Sequence, residues 1–323
     1  MNQRLAFIDN LRGILMLLVI IGHSIQFMDP DFDHNIVFRY IYSFHMPLFM
    51  CISGFVCYHQ KDTLKTIKKR FCQLMIPFVS WSIILCCIDK GNTYIYDYFL
   101  HPDWSLWFLW ALFFITIIFM TCKKFSHITS IKLEYITTIC AIVMLGAIAK
   151  FKINILGGQF IGWYFIFYSM GYFIKKYNLL DSTLLNKTKW ISLATFAFTA
   201  YFWMRKEAPL FMHSNNTIYN YAYKLIVATI SFGALLPFAR TLLNKEMGFV
   251  SKIGKNMTLG IYSMQQIAII YLCNNVSILH HFSQWIAIIM IASFTTLICY
   301  YAFLILSKNN VLAFWLFGCR RRT

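Results

Sequence analysis

Charge is scarce in this chain, and negative charge scarcest: 12 Asp and Glu stand among 323 residues, and charged residues of all types make up 13%. A soluble domain carries about 25% charged and about 45–50% apolar residues, so an apolar share of 59% excludes the soluble classes. No Pro/Gly/Ser-rich linker, no loop of domain size and no repeat of fixed period is present, so residues 1–323 are expected to form one domain. No C-x-x-C pair occurs among the ten cysteines, which lie mostly inside apolar runs. Neither disulfides nor a metal site is expected from them, and the adjacent Cys86 and Cys87 read as small residues facing lipid or the bundle.

The chain is instead rich in long apolar runs, long enough to cross a hydrocarbon core as helices and unlike the alternating ten-residue strands of a membrane barrel. The fold class expected is all-α, a polytopic membrane protein with ten spans at about 8–28, 37–57, 71–88, 104–122, 133–149, 158–174, 189–204, 218–239, 256–273 and 283–306. The first run has no small-residue cleavage site after it and is expected to stay as a helix. The tail 307–323, apolar and then tribasic, is too short to span and is expected to lie along the cytoplasmic interface, with Trp315 at the boundary.

Cytoplasmic loops retain Lys and Arg, and the 29 basic residues divide unevenly between alternate loops. With the N-terminus inside, 22 are cytoplasmic: Arg4, Arg12, Lys61, Lys65, Lys68, Lys69, Arg70, Lys123, Lys124, Lys132, Lys175, Lys176, Lys187, Lys189, Arg240, Lys245, Lys252, Lys255, Lys308 and Arg320 to Arg322. Seven remain outside: Arg39, Lys90, Lys150, Lys152, Arg205, Lys206 and Lys224. Both ends are therefore expected in the cytoplasm. The net charge of +17 follows from loop retention and anionic lipid, with no nucleic-acid partner required.

Ionisable side chains inside a span cost at least about 2.5–3.5 kcal/mol, so each is a functional candidate. The stretch "NLRGILMLLVIIGHS" contains two, Arg12 and His23. Eleven residues are about three turns, so the pair is separated by roughly 16 Å along one face and about 20° around it. Arg12 can snorkel to headgroups or meet a ligand; His23 can bond between helices or exchange protons at neutral pH. Asp9 can pair with Arg12 or cap the helix, and Ser24 is the next polar neighbour of His23. In "FHMPLFMCISGF" the sequence places His45 before Pro47, with Ser53 and Gly54 following. This reads either as a packing kink with small residues or as a break lining a cavity. Arg70, at the mouth of the third span in "KKRFCQLMIPF", has a planar fork suited to phosphate. In "WSLWFLW", Trp104 reads as an interfacial belt residue, while Trp107 and Trp110, further in, read either as part of that belt or as lining of a cavity wall.

The first, second and fourth of these stretches together resemble the membrane-bound acyltransferase-3 family, whose signature of Arg, ten residues and His falls on Arg12 and His23. The motif resemblance covers about residues 4–110 and the topology extends to about 306. Two departures stand out. Relatives commonly carry a second Arg where this chain has Gln73, and "IGKNMTLGIYSMQQ" ends on Gln265 where they often have His. The resemblance implies transfer of an acyl group, usually acetyl from acetyl-CoA as a donor substrate with no permanently bound cofactor, to a hydroxyl of a surface glycan or its lipid-linked precursor. It implies His23 as general base or acyl acceptor and Arg12 and Arg70 as binders of acyl-CoA, with Asp9, Ser24, His45, Ser53 and Trp107 lining the site. The partners implied are acyl-CoA, a glycan or glycolipid, and the lipids of a bacterial inner membrane. Some relatives carry a fused extracytoplasmic hydrolase-like domain; without one in 1–323, transfer is expected to finish in the membrane domain or to pass to a separate protein. The competing class is a transporter or exporter of a glycan or glycolipid, but inverted repeats with matching broken helices are not evident, and the unusual residues crowd into the first four spans.

Overall fold

A computed structural model describes residues 5–60, 62–88, 94–102, 106–151, 155–211, 217–276 and 282–319. Arg4, Lys61, Lys90, Trp104, Lys152 and Arg320 to Arg322 lie outside the described residues. Within them every regular element is helical: α1 Ala6–Met28, α2 Ile36–Cys57, α3 Thr63–Arg70, α4 Ile76–Ile88, α5 Ile95–Leu100, α6 Trp107–Thr129 and α7 Leu133–Phe151. There follow α8 Gly158–Lys176, α9 Thr183–Tyr201, α10 Thr217–Leu242, α11 Phe249–Lys252, α12 Thr258–Asn275, α13 Gln284–Leu306 and α14 Asn310–Phe317. Two π-helical turns, Phe71–Met75 and Ile253–Met257, join α3 to α4 and α11 to α12.

Each of the ten expected segments coincides with a helix. Six helical runs are long and apolar enough to cross a membrane: α1, α2, Thr63–Ile88, α6, Ile218–Leu242 within α10, and α13. Leu133–Ile148 within α7 is a shorter apolar helix. Others carry more polar residues along their length, as Asn186, Lys187 and Lys189 do in α9. The chain is an integral membrane protein.

Boundaries move for local reasons. The helix expected from 189 begins at Thr183 because the Ser182 hydroxyl accepts from the Leu185 amide at 3.2 Å and caps it. The third expected span, from 71, is preceded by α3, whose start the Asp62 carboxylate caps by accepting from Lys65 N at 3.0 Å.

The chain divides into two compact units, one of residues 1–52 and 174–303 and one of 53–173 and 304–323. In the first unit, backbone approach replaces side-chain packing where α1 meets the 249–257 turn. A Cβ at Gly13 would run into the Val250 carbonyl, and one at Gly254 into the backbone of Asp9 and Gly13. Beside these contacts Asn10, wholly buried, ties α1 to the loop after α10. Its amide nitrogen donates to Leu243 O at 2.8 Å and Lys245 O at 2.6 Å, and its oxygen accepts from Met247 N at 3.2 Å. Asn10→Ala leaves these three backbone groups without their partner, at roughly 1–3 kcal/mol for each that water does not reach. Thermal unfolding in detergent is expected to show a melting temperature lower by several degrees; an unchanged value would mean that the loop does not depend on Asn10.

In the second unit α2 and α8 cross closely at Gly54, where a Cβ would meet the Tyr168 backbone. The tail is more ordered than an interfacial strip. Asn309 caps α14 by accepting from Val311 N at 2.8 Å, Trp81 Nε1 donates to Leu316 O at 2.9 Å, and Gly318 abuts the Cys72 backbone. Trp315 remains exposed.

Candidate functional site

In the first unit α1 runs unbroken from Ala6 to Met28, so the spacing of Arg12 and His23 translates into a shared face. Met16 and Val19, which fall on that face between them, are each 1% exposed. Ile14, Leu17, Leu18 and Ile21 on the opposite side are only half-buried. Arg12 and His23 are themselves half-buried, but the residues between them on that face are buried, so the stripe they bound is the inward one. An open apolar groove of about 410 Å³ lies on the other side of α1, lined among others by Leu18, Ile21, Val37, Ile41 and Phe44. It is apolar throughout and suits a hydrocarbon chain rather than chemistry.

At the His23 end, Gly22 lets α2 come close. A Cβ there would lie 2.7 Å from Tyr42 Cε2, and Tyr42 is drawn against α1 beside the histidine. Its ring meets His23 edge-on at 6.5 Å and His45 at 4.7 Å between ring centres. Phe38 stacks on its far side at 3.9 Å, and its hydroxyl donates to Gln26 Oε1 at 3.2 Å. The buried His45 ring uses Nδ1 to donate to the Ile41 carbonyl at 2.7 Å. A carbonyl only accepts, so in the neutral ring Nε2 is left with the lone pair. Ser24, also buried, spends its proton on Ile20 O at 2.8 Å and has none to offer a reacting oxygen.

A cationic arm completes the cluster. The segment after α9 is clamped by Asp33, whose two carboxylate oxygens accept from the successive amides of Arg205 and Lys206, both at 3.1 Å. Lys224 Nζ adds a hydrogen bond to Arg205 O at 2.8 Å. The Arg205 guanidinium carbon then lies 5.4 Å from the Tyr42 ring centre, near enough to act electrostatically on His23 and His45. Asp33 itself sits in a loop locked by Asn35, which donates to Asp29 Oδ2 at 2.9 Å and caps α2 through Val37 N at 3.1 Å. In the same loop His34 holds its proton more firmly than an ordinary histidine, because Nδ1 is 2.6 Å from the Asp31 carboxylate.

The second unit holds the other three expected residues. Arg70, half-buried, donates weakly to Gln73 Oε1 at 3.4 Å. Ser53 is buried. Trp107 lies flat against Phe160 and Tyr164, at 4.7 and 5.0 Å between ring centres, while Trp110 is buried with its indole N–H on Leu156 O at 2.8 Å. Among the described residues no group of three His, Cys, Asp or Glu comes together to hold a metal ion.

Comparison with known proteins decides the family. The family described as "Acyltransferase domain" matches residues 5–304. The chain belongs to this acyltransferase family. Among similar curated proteins is a nodulation protein NolL of Mesorhizobium japonicum, 26% identical over 215 residues, which are 62% of this chain and 55% of that protein. Another is the nodulation protein NolL of Sinorhizobium fredii, 29% identical over 126 residues, 34% of each chain. The chain thus spans about half, or less, of the length of the curated relatives that it matches. No solved structure matches it.

Of the acyltransferase residues expected from sequence, Asp9, Arg12, His23, Ser24 and His45 fall in the first unit, and Ser53, Arg70 and Trp107 in the second. His23 and His45 converge on one tyrosine ring; Asp9, buried, and Arg12, half-buried, lie at the other end of α1. Sequence reasoning passed over Tyr42, Asp33 and Arg205. The available signal was the uneven division of basic residues: Arg39, Arg205, Lys206 and Lys224 belong to the smaller set that the loop-charge rule leaves as exceptions.

Proposed function

We propose that this chain is a membrane O-acyltransferase that moves an acyl group, acetyl from acetyl-CoA, to a hydroxyl of a cell-surface glycan or its lipid-linked precursor. The observation that carries this reading is the inward face of α1, continuous from Arg12 to His23, in a chain matched along most of its length by an acyltransferase family. That match runs through both units and supports reading 1–323 as one acyltransferase domain. Ten spans in a bacterial inner membrane, with both ends cytoplasmic, are supported by the ten helices that coincide with apolar runs and by the 22-to-7 division of basic residues.

On this reading Arg12 meets the donor's phosphates from the cytoplasm, and Arg70 is the second residue for that role. The donor's pantetheine arm follows the stripe past Met16 and Val19. At its end a His23 nitrogen takes the proton of the acceptor hydroxyl; the hydroxyl oxygen attacks the thioester carbonyl, the C–S bond breaks, and the CoA thiolate leaves and is protonated. In the covalent variant of the route, a His23 nitrogen attacks the thioester carbonyl, the C–S bond breaks and the CoA thiolate leaves. The acceptor oxygen then attacks the acyl carbon, the C–N bond breaks, and the hydroxyl proton passes to the released imidazole or thiolate.

The test is transfer of labelled acetyl from acetyl-CoA by the protein in lipid vesicles, with glycan composition by mass spectrometry in cells with and without it. An acetylated glycan that depends on the protein is the expected result; no label transfer to any glycan fraction would sink the reading. Arg12→Ala is expected to raise KM for acetyl-CoA about 10–100-fold, the worth of one or two charge-assisted hydrogen bonds. An unchanged KM would place the phosphates elsewhere.

A further inference from the structure

Two arginines beside the His23 cluster form, among the described residues, no salt bridge with a carboxylate. Arg39, near the start of α2, is 6% exposed, and its Nε has no hydrogen-bond partner. Its guanidinium carbon lies 5.2 Å from the ring centre of Tyr201, the last residue of α9. Arg205, four residues beyond Tyr201, lies in turn over Tyr42, one helical turn beyond Arg39. Each element thus supplies one arginine and one tyrosine, and each arginine covers the other element's ring. Among the described residues neither guanidinium is paired with a carboxylate. The nearest clamped acid, Asp33, spends both oxygens on backbone amides.

Arg39 is a buried cation left without an anion, which is costly, while Arg205 is exposed and open to a ligand; a guanidinium is the group best suited to take a planar or tetrahedral oxyanion through two parallel hydrogen bonds. The tyrosine faces hold both forks in place without neutralising them. The Asp33 clamp and the Lys224 hydrogen bond order the Arg205 backbone before any ligand arrives. The Tyr42 ring contacts Arg205 as well as His23 and His45.

We propose that Arg39 and Arg205 form an anion subsite for the acceptor, which therefore carries a fixed negative charge, a carboxylate or a phosphate, close to the hydroxyl that is acylated. This rests on the His23 reading for its meaning in the reaction, but its test does not. The readout is equilibrium binding with no acyl donor present, so a failed acyl-transfer assay and a failed subsite remain separate results.

The full chain in phosphatidylcholine nanodiscs is titrated with glucose 1-phosphate, glucuronate and glucose. The charged sugars are expected to bind and glucose to bind about tenfold more weakly or not at all. Arg205→Gln is expected to weaken charged-sugar binding about tenfold or more, with part restored by Arg205→Lys, which returns the charge without the fork. Arg39→Gln is expected to do the same. Because Arg39 is buried and its loss can disturb folding, Asp33→Asn serves as a second handle that keeps both arginines and loosens the loop, and weaker binding is expected there too. Equal binding of glucose and its phosphate, or undiminished binding in Arg205→Gln, overturns the proposal. So does arginine-dependent binding that appears only for phosphatidylglycerol added to the nanodisc and for no sugar, since the pair is then a lipid headgroup site.

Discussion

His23→Ala is expected to lower acyl transfer to the acceptor by about 10²–10⁴-fold, the usual worth of a positioned general base, in a protein that still elutes as a folded species. The size follows from the surroundings of the ring. Ser24 has committed its proton to Ile20 O, and His45 has committed Nδ1 to Ile41 O. His45 Nε2 is the other basic nitrogen at Tyr42, and a His23 variant with substantial residual activity would point to it; a His23/His45 double variant would then remove the remainder. The two routes separate by quenching the wild type with labelled acetyl-CoA and no acceptor. Label on His23 establishes the covalent route, and its absence together with the rate loss leaves the general base. Full activity in His23→Ala would remove both.

Gly254→Val is expected to be the most damaging single change outside the reacting groups. A side chain at Gly254 has nowhere to go: its Cβ falls on the carbonyl of Asp9 and close to the Gly13 amide, which are helix backbone and do not swing aside as a side chain would. Overpacking ordinarily costs about 1–3 kcal/mol, and unyielding backbone on the far side sets this position at or above that range. The expected outcome is loss of the monodisperse species in detergent, or a sharply lowered melting temperature, with acyl transfer lost alongside because α1 is displaced at its Arg12 end. Gly146→Val is the matched control, since nothing lies within 4 Å of a Cβ there. Equal stability of the two variants would show that α1 and the π turn are not in backbone contact.

Helices and their inward faces were legible in the sequence because both depend on local periodicity. The eleven-residue spacing from Arg12 to His23 becomes a geometric fact once α1 is one unbroken helix. The π turns were not legible. "FCQLM" and "IGKNM" carry no signal that separates a π turn from an α turn, and the widening accompanies tertiary contacts such as Gly254 on α1 and Gly318 on Cys72. Within "IDNLRG" the charged residues drew attention, yet Asn10, neutral and unremarked, holds the loop at 243–247. The reason is that its partners are backbone groups more than 230 residues away. Arg39 and Arg205 were visible only as exceptions to a charge rule; what the exceptions do became readable when α2 and the end of α9 were seen side by side.

The Asn10 tie also bears on how the protein is made. α1 leaves the ribosome well before residues 243–247, whose carbonyls and amide satisfy Asn10. At about 5–20 residues per second, the helix waits roughly 12–50 s for them. During that interval the Asn10 amide and the bare backbone at Gly13 have no partner. A chain halted before residue 243 would present α1 in that open state, with its Arg12 end unlatched.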